Sequence, residues 1–191
     1  MSECGGVVPG AAAIPGTKSD CEAALDRENS RVPTRVMTIR PFQSADLPTL
    51  QRLTVESFEG LAMDQTIEEK FGILAEHDWR WRKARHLEQD CEGNPEGVFV
   101  AEEEGEIIGY ITTQIDREAG KGRIPNFAVD AAARGRGLGR SLIEHALDYF
   151  RRERLAYATI ETMTHNPIGQ HLYPACGFVE IGRQIHYAQK L

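Results

Sequence analysis

The sequence contains no long hydrophobic run and no secretory signal. A membrane-spanning helix needs about 20 consecutive apolar residues, and no stretch of the chain approaches that length. The N-terminus has neither the basic start nor the continuous apolar segment that directs secretion. We therefore expect no membrane partner and a cytoplasmic location.

Cysteine is scarce, and its spacing excludes the usual cysteine-based sites. The four cysteines, Cys4, Cys21, Cys91 and Cys176, are far apart and include no C-x-x-C pair. Zinc sites and disulfide frameworks both depend on closely patterned cysteines. We therefore expect no metal site, and free thiols suit a reducing cytosol.

Positive charge is also in deficit, since 29 acidic residues outweigh 22 basic ones and give a net charge of −7. This balance argues against nucleic acid as a general partner. One local exception is Asp78–His86, in which Arg80, Arg82, Lys83 and Arg85 alternate with two tryptophans. Such a segment can bind an acidic acceptor or a nucleic acid. A solvated end of an amphipathic helix is the interpretation that we favour.

The composition changes near residue 34. Residues 1–33 are rich in glycine, alanine, proline and polar residues without an apolar face, which predicts a disordered leader. Residues 34–191 have the length and composition of one folded domain. Met37 directly precedes the first predicted strand and is a plausible true start, so residues 1–36 are uncertain members of the native protein.

Glycine is concentrated in one turn, Arg134-Gly135-Arg136-Gly137-Leu138-Gly139. It follows the apolar run Ile124–Val129, which predicts a buried strand, and precedes a predicted helix, Ser141–Arg152. Glycine lets the backbone curl tightly, and the helix N-terminus directs unpaired amides into the turn, so the unit suits a phosphate. The spacing fits neither the P-loop nor the G-x-G-x-x-G dinucleotide motif.

Hydrophobic periodicity predicts the element order β, α, α, β, β, β, α, β, α, β, β, a mixed α/β architecture. The helices begin near Leu47, Thr66, Ser141 and Asn166, and the helix from Thr66 continues brokenly toward Glu88. Cys91–Gly97 is predicted to be a loop. The predicted strands are Arg35–Arg40, Val98–Glu102, Glu106–Asp116, Ile124–Val129, Tyr157–Thr162, Phe178–Ile181 and Gln184–Gln189.

Two groups of residues together resemble a known family. The first is Arg-x-x-Gly-x-Gly, formed by Arg134, Gly137 and Gly139. The second runs from Ile160-Glu161-Thr162 through Asn166 to Leu172-Tyr173 and Gly177-Phe178. Both resemble the GNAT superfamily of acetyl-CoA-dependent N-acetyltransferases, over roughly residues 34–191. The closest sub-pattern is similar to protein N-terminal alanine acetyltransferases, in which a glutamate also precedes the tyrosine by twelve positions.

The resemblance implies a mixed central sheet of about six to seven strands flanked by about four helices. It also implies acetyl-CoA as cosubstrate and an amine acceptor: a protein N-terminus, a lysine, a polyamine or a small metabolite. Asp78–His86 does not belong to the alanine acetyltransferase pattern, which leaves the acceptor open. Superfamily members are often dimers, so a homodimer is a further expectation. The implied cosubstrate-binding residues are Phe127, Ala128, Val129, Arg134, Gly135, Arg136, Gly137, Leu138, Gly139, Arg140 and Asn166.

The implied catalytic residues are Glu161 and Tyr173. Acetyl transfer needs a neutral amine and stabilisation of the departing thiolate. Glu161 is the candidate that accepts the amine proton, directly or through water. Tyr173 is the candidate donor to the sulfur, by hydrogen bonding rather than early proton transfer, because a phenol of pKa about 10 is a poor acid against a thiol of about 8.5.

Each assignment has an alternative. Glu161 is equally well explained as a solvated strand carboxylate, with His165 and His171 as other proton acceptors. Tyr173 can be a packing residue, and Asn166 can simply cap its helix. For the whole protein, the alternative to an N-acetyltransferase is a non-catalytic acyl-CoA-binding or sensing module. A nucleic-acid-associated factor using Arg80–Arg85 is a weaker alternative.

Overall fold

The computed structural model describes residues 36–191. The predicted leader, Cys4 and Cys21 lie outside this range. The described elements, in chain order, are β1 (Met37–Pro41), α1 (Leu47–Phe58), α2 (Met63–Phe71), α3 (Trp79–Gly93), β2 (Phe99–Glu103), β3 (Glu106–Ile111), β4 (Gln114–Asp116), β5 (Lys121–Ile124), β6 (Phe127–Val129), α4 (Leu138–Arg152), β7 (Tyr157–Ile160) and α5 (Pro167–Ala175).

The strands form two sheets, with the orders β1-β2-β3-β6 and β4-β5-β7. All pairings are antiparallel except β5 with β7, which run parallel. The predicted mixed α/β class is confirmed, with seven strands and five helices among the described residues. The additional helix is α3, because Trp79–Gly93 is a separate helix rather than a broken continuation of α2.

Two predicted strands are each divided at the same level of the sheet. Thr112 and Thr113 separate β3 from β4, and Pro125 and Asn126 separate β5 from β6. Proline has no N–H to donate to a ladder, so it interrupts the run Ile124–Val129. The two interruptions bond to each other, because the Thr112 amide donates to the Asn126 carbonyl at 2.8 Å. The strand pairing therefore changes at this point: β3 and β6 belong to one sheet, and β4 and β5 belong to the other.

The core is built on both faces of the sheet. On one face the stripe of α4, including Leu142, Ile143 and Phe150, packs against Ile111 and Ile124. On the other face residues of α1 and α3 pack against β2, β3 and β6, and this cluster comprises Leu50, Leu53, Leu87, Cys91, Val98, Val100, Tyr110 and Ala128. Burial of a leucine or phenylalanine contributes about 1.5–3 kcal/mol. The alternation of β6 places Ala128 toward α1 and α3.

Several predicted boundaries differ from the structure. Helix α2 begins at Met63 rather than Thr66, α3 extends to Gly93 into the predicted loop, and α4 begins at Leu138 rather than Ser141. The first strand begins at Met37. The hairpin turn at Glu104-Gly105 is as predicted, with both residues at positive φ.

The predicted strands Phe178–Ile181 and Gln184–Gln189 are wrong for this structure, since residues 178–191 contain no strand. Most of their apolar residues are exposed, including Val179, Ile181 and Tyr187. Alternating sequence favours a strand only where a neighbouring strand pairs with it. Among the described strands, β7 pairs only with β5 and its other edge is unpaired, but residues 178–191 do not pair with that edge.

Candidate active site

The central feature of the site is a cleft between two strands that separate. Strands β5 and β7 pair in parallel up to Ile124 and Ile160. Beyond that level β6 belongs to the other sheet and forms its edge. Phe127–Val129 and Glu161-Thr162 therefore become the two walls of a gap, which we call the cleft. An edge strand presents main-chain groups that a ligand can bind.

The glycine turn lies at one end of β6. Gly135 and Gly137 have φ values of +77° and +82°, which side-chain-bearing residues rarely adopt. Gly137 is the N-cap of α4 and offers no side-chain cap. A Cβ added at either glycine meets no atom within 4 Å, so the turn is open toward solvent. The leading amides of α4 can therefore bind an anion.

Gly139 has a different role from the other two glycines. A Cβ at this position would lie 3.2 Å from Leu172 Cδ2 and 3.5 Å from Phe127 Cε2. Glycine therefore allows the first turn of α4 to approach α5 and β6 closely. This packing holds the turn against α5 and against the β6 wall of the cleft, and buried Leu138 anchors the turn to the core.

The three arginines of the turn differ in their partners. Arg134 Nε donates to the Val129 carbonyl at 3.1 Å, and Arg136 pairs with the buried carboxylate of Glu103. The hydrogen bond that Arg136 donates to Glu103 raises the pKa of Arg136. Arg140 is exposed, and its nearest acid is Glu144 at 3.8 Å. Arg140 and Arg134 are thus better placed than Arg136 to add charge beside the turn.

Tyr173 lies on α5 at the cleft. Its ring is 6.3 Å from the ring of Phe127 and 6.3 Å from that of Phe178, measured between centroids. Burial raises the pKa of Tyr173 to about 12, although a hydrogen bond with Thr162 opposes the shift. The phenol therefore stays protonated at neutral pH and can act as a hydrogen-bond donor.

Asn166 acts as the N-cap of α5. Its Oδ1 accepts from the amides of Ile168 and Gly169, at 3.2 Å and 3.3 Å. Its Nδ2 donates to Thr162 Oγ1 at 3.0 Å. The capping role predicted from Asn166-Pro167 is confirmed by this geometry. The cap fixes α5, and with it Tyr173, relative to the strand wall at Thr162.

Glu161 directly follows β7, and its carboxylate lies 3.1 Å from Arg123 Nε. The Glu161 side chain is 60% exposed. The other candidate proton acceptors are also exposed: His165 Nε2 lies 3.2 Å from the Gly60 carbonyl, and His171 lies on α5. The structure therefore places Glu161 at the cleft but in an ion pair.

A buried polar network surrounds Asn126, where β5 and β6 separate, and was not predicted from the sequence. Asn126 Nδ2 donates to Asp90 Oδ2 at 2.5 Å, and Asn126 Oδ1 accepts from Lys83 Nζ at 2.5 Å. Asp90 also accepts from Thr112 Oγ1 and from Gln114 Nε2. The available signals were a polar residue interrupting an apolar strand and the spacing of Lys83 and Asp90, which share a face of α3.

The network continues to Glu161. Gln114 Oε1 accepts from Arg123 Nη1 at 3.3 Å, and Arg123 pairs with Glu161. Glu161 and Lys83 are therefore the two ends of one hydrogen-bonded chain, which runs beneath the strand interruption. Burial raises the pKa of Asp90, although its hydrogen bonds oppose this shift.

Residues of Asp78–His86 are largely engaged within the protein. Arg82 pairs with Glu68 at 3.3 Å, and Arg80 pairs with Glu59 at 3.2 Å. Arg85 lies over the ring of Trp81. The segment is therefore the packed start of α3, with Trp79 buried, rather than the solvated helix end that we favoured.

The described thiols and acids offer little other chemistry. Burial raises the pKa of the Cys91 thiol to about 12 and also raises that of Cys176. A thiol in such surroundings is a poor nucleophile. Within residues 36–191 there is no group of three or more histidine, cysteine or acidic residues that could hold a metal ion. The helices of that range include none long and apolar enough to cross a membrane.

Comparison with known proteins identifies the class. The model of the acetyltransferase (GNAT) family matches residues 58–178, which include the cleft, the glycine turn and Tyr173. The chain therefore belongs to the GNAT family of acetyltransferases. The glycine turn and the segment from Ile160 through the asparagine-capped α5 are the features on which the sequence resemblance was based.

Two curated relatives and one solved structure illustrate the similarity. Mycothiol acetyltransferase of Thermomonospora curvata is 26% identical over 167 residues, covering 83% of this chain and 56% of that protein. N-alpha-acetyltransferase 30 of Saccharomyces cerevisiae is 31% identical over 83 residues, covering 42% and 47%. The PaiA N-acetyltransferase of Thermoplasma acidophilum in complex with coenzyme A shares the fold, with a TM-score of 0.59, 18% identity and coverage of 73% and 87%. The chain spans about half the length of the curated relatives that it matches.

Proposed function

We propose that this protein is an N-acetyltransferase that moves an acetyl group from acetyl-CoA to a primary amine by direct transfer in a ternary complex. The observation that carries the proposal is the cleft between β6 and β7, which ends at an open glycine turn in a chain of the GNAT family. The named relatives, mycothiol acetyltransferase and N-alpha-acetyltransferase 30, support the same reaction class.

The glycine turn and the main chain of β6 form a binding site that suits the cosubstrate. We assign its pyrophosphate to the amides of Gly135, Arg136, Gly137, Leu138, Gly139 and Arg140, with charge from Arg134 and Arg140. We assign its pantetheine arm to the main chain of Phe127, Ala128 and Val129. The open space at Gly135 and Gly137 and the edge position of β6 support this assignment. Asn166 contributes by fixing the opposite wall, since its side chain caps α5.

The chemistry follows from the groups at the cleft. Acetyl-CoA supplies an activated thioester. The neutral amine of the acceptor attacks the carbonyl carbon, and main-chain amides at the edge of β6 stabilise the oxyanion that develops. As the carbon–sulfur bond breaks, the protonated phenol of Tyr173 donates a hydrogen bond to the sulfur. Glu161 can accept the amine proton only after it leaves its ion pair with Arg123.

The acceptor is a primary amine of a protein N-terminus or of a small molecule. N-alpha-acetyltransferase 30 favours the first by its name, and mycothiol acetyltransferase favours the second. We place the reaction in the cytoplasm. Two free thiols, the buried Cys91 and the half-buried Cys176, suit that compartment.

The test is release of thiol from acetyl-CoA against a panel of N-terminal peptides, lysine peptides, polyamines and the des-acetyl form of mycothiol. Binding of acetyl-CoA is measured separately by calorimetry. Turnover with one acceptor class supports the proposal and identifies the substrate. Tight binding without turnover on any amine would instead favour an acyl-CoA-sensing module, and absence of binding would reject the assigned binding site.

A further inference from the structure

Lys83 reaches from α3 to the place where β5 and β6 separate. Its Nζ donates to Asn126 Oδ1 at 2.5 Å, and Asn126 directly precedes Phe127, the first residue of the cleft wall. Nζ also lies 3.9 Å from the centroid of the Phe58 ring, at the end of α1. The amine therefore sits where α1, α3 and the start of β6 meet, at the opposite end of β6 from the glycine turn.

This end of β6 is the side on which an acceptor has to approach. The glycine turn, assigned to pyrophosphate, follows β6, so the reactive end of the bound thioester points toward Phe127 and Asn126. Helix α1 packs against β6, and the connection that follows α1 reaches the segment after β7, since the Gly60 carbonyl lies 3.2 Å from His165 Nε2. Lys83 thus contacts the residue before the strand wall, Asn126, and the end of α1, Phe58.

The surroundings of Lys83 are unusual for a lysine. Within residues 36–191, no carboxylate oxygen lies within the 4.0 Å ion-pair distance of its Nζ. The contacts that the structure gives its amine are the neutral amide of Asn126 and the ring of Phe58. Burial without a paired counter-ion disfavours the charged form of an amine. Lys83 is therefore not explained as half of a structural ion pair.

The charged groups that face Lys83 modulate this effect. Burial lowers the pKa of Lys83 to about 8, while Asp64 of α2 and Asp90 of α3 pull in the opposite direction. Asp64 is itself shared with Arg82 and His86, at 3.7 Å and 3.6 Å. Helix α1 contributes the uncharged ring of Phe58. A minor fraction of Lys83 is consequently a neutral amine at pH 7, and the neutral fraction reaches about half near pH 8.

We propose that Lys83 is the general base that removes the proton from the ammonium group of the acceptor. The proposal rests on the proposed acetyltransferase function. Asn126 Oδ1 accepts one N–H of Lys83, and in this proposal the lone pair of the neutral Lys83 nitrogen takes the proton of the acceptor. An α-amino group has an ordinary pKa of about 7.7–8.0, so transfer of its proton to Lys83 is close to thermoneutral.

The proton and electron balance is simple. The acceptor ammonium gives one proton to the Lys83 lone pair, and Lys83 becomes an ammonium ion. The freed amine lone pair forms the carbon–nitrogen bond, and the carbon–sulfur bond breaks with its electrons on sulfur. The second proton lost by the acceptor nitrogen goes to the thiolate or to solvent, and Lys83 returns its proton to solvent.

The decisive variant is Lys83→Arg. Arginine keeps the positive charge and a donor for Asn126 Oδ1, but its guanidinium does not deprotonate in proteins. We expect the wild-type single-turnover rate, at saturating acetyl-CoA and with the fastest acceptor of the amine panel, to rise through about pH 8 and level above it. Lys83→Arg should lower that rate about 100-fold at pH 8 with acetyl-CoA affinity unchanged, and the rate that remains should rise only with deprotonation of the acceptor amine itself. Lys70→Arg, on the exposed end of α2, is the matched control and should match wild type.

A second variant changes the pKa of Lys83 and leaves Lys83 itself in place. Asp64→Asn removes a negative charge that raises the pKa of Lys83, so the rise in rate should move to lower pH. This measurement decides the matter if Lys83→Arg fails to fold. The proposal is overturned if Lys83→Arg keeps the rate and the rise, or if the rise is lost only in Glu161→Gln or His165→Gln. Absence of acetyl-CoA binding or of any wild-type turnover would instead reject the proposed function itself.

Discussion

The phenol ring of Tyr173 is tilted at 54° to the ring of Phe127, with their centroids 6.3 Å apart. Phe127 begins one wall of the cleft, and Tyr173 is held by α5, whose start is fixed by Asn166. The phenol is thus positioned by an aromatic contact and by a helix cap rather than by a charged partner. This placement gives the first prediction.

Tyr173→Phe should lower kcat about 10- to 100-fold, since it removes one hydrogen bond to a developing thiolate, worth about 1.5–3 kcal/mol. Acetyl-CoA affinity should remain close to wild type because the ring still packs on Phe127. Burial keeps the pKa of Tyr173 at about 12, so its ionisation should not reduce the rate below about pH 11. Tyr157→Phe, on the exposed start of β7, is the control, and equal losses in both variants would contradict the assigned role.

Gly137→Ala should weaken acetyl-CoA binding about 10-fold. Its φ of +82° is costly for alanine, by about 1–2 kcal/mol, and the added methyl group lies on the turn to which we assign the pyrophosphate. Gly72→Ala, after α2 and away from the turn, is strained at least as much, because its φ of +76° and ψ of −172° lie in a region that essentially only glycine adopts. Denaturant unfolding should therefore show a loss of stability in Gly72→Ala at least as large as in Gly137→Ala, while calorimetry should show a loss of affinity only in Gly137→Ala.

Gly122→Ala should destabilise the fold by about 1–3 kcal/mol, through overpacking. A Cβ on Gly122 would lie 2.7 Å from Phe150 Cγ, and Phe150 is buried in the core. Gly93→Ala, at the end of α3, meets no atom within 4 Å and should change the free energy of unfolding by less than about 1 kcal/mol. Urea unfolding at constant m-value checks both expectations, and equal midpoints would exclude close packing of Gly122.

Arg40→Met should lower stability in a pH-dependent way. Arg40 bonds to Asp46 and Glu102, and its hydrogen bond holds the pKa of Asp46 below the ordinary value. The stabilisation is therefore present above the unfolded-state pKa of about 3.9 and is lost as the pH falls through the lower folded-state value. We expect a loss of about 1–2 kcal/mol at pH 7 that shrinks below pH 4.

The matched control is Arg52→Met. Arg52 pairs with Glu56 on the exposed face of α1, and such pairs contribute about 0.3–0.5 kcal/mol. A loss for Arg40→Met that persisted undiminished at pH 2 would show that Arg40 stabilises the protein by packing alone.

Local sequence signals were sufficient for much of the fold. The apolar stripe of α4, the glycine turn before it and the cap at Asn166 are each determined by residues within about two helical turns of one another. They were predicted correctly apart from the start of α4. The family resemblance rested on the same local patterns.

The remaining features depend on contacts between distant residues. Whether Phe178–Gln189 forms strands depends on pairing with a distant strand, which its own alternation does not reveal. The interruption at Pro125-Asn126 was hidden within an apolar run, and Lys83 became significant only when α3 packed over Asn126. Glu161 was predicted to lie within the strand Tyr157–Thr162 but follows its end at Ile160, and its ion pair with Arg123 follows from the β5–β7 register.

The parallel pairing of β5 with β7 also governs when the cleft can exist. The chain between these strands contains β6, the glycine turn and all of α4, so the pairing closes a long loop and is expected to form slowly. A nascent chain that has not yet reached Tyr157 holds the glycine turn but lacks the second wall. The capacity to bind acetyl-CoA should therefore emerge late in synthesis and refolding, when β7 pairs with β5.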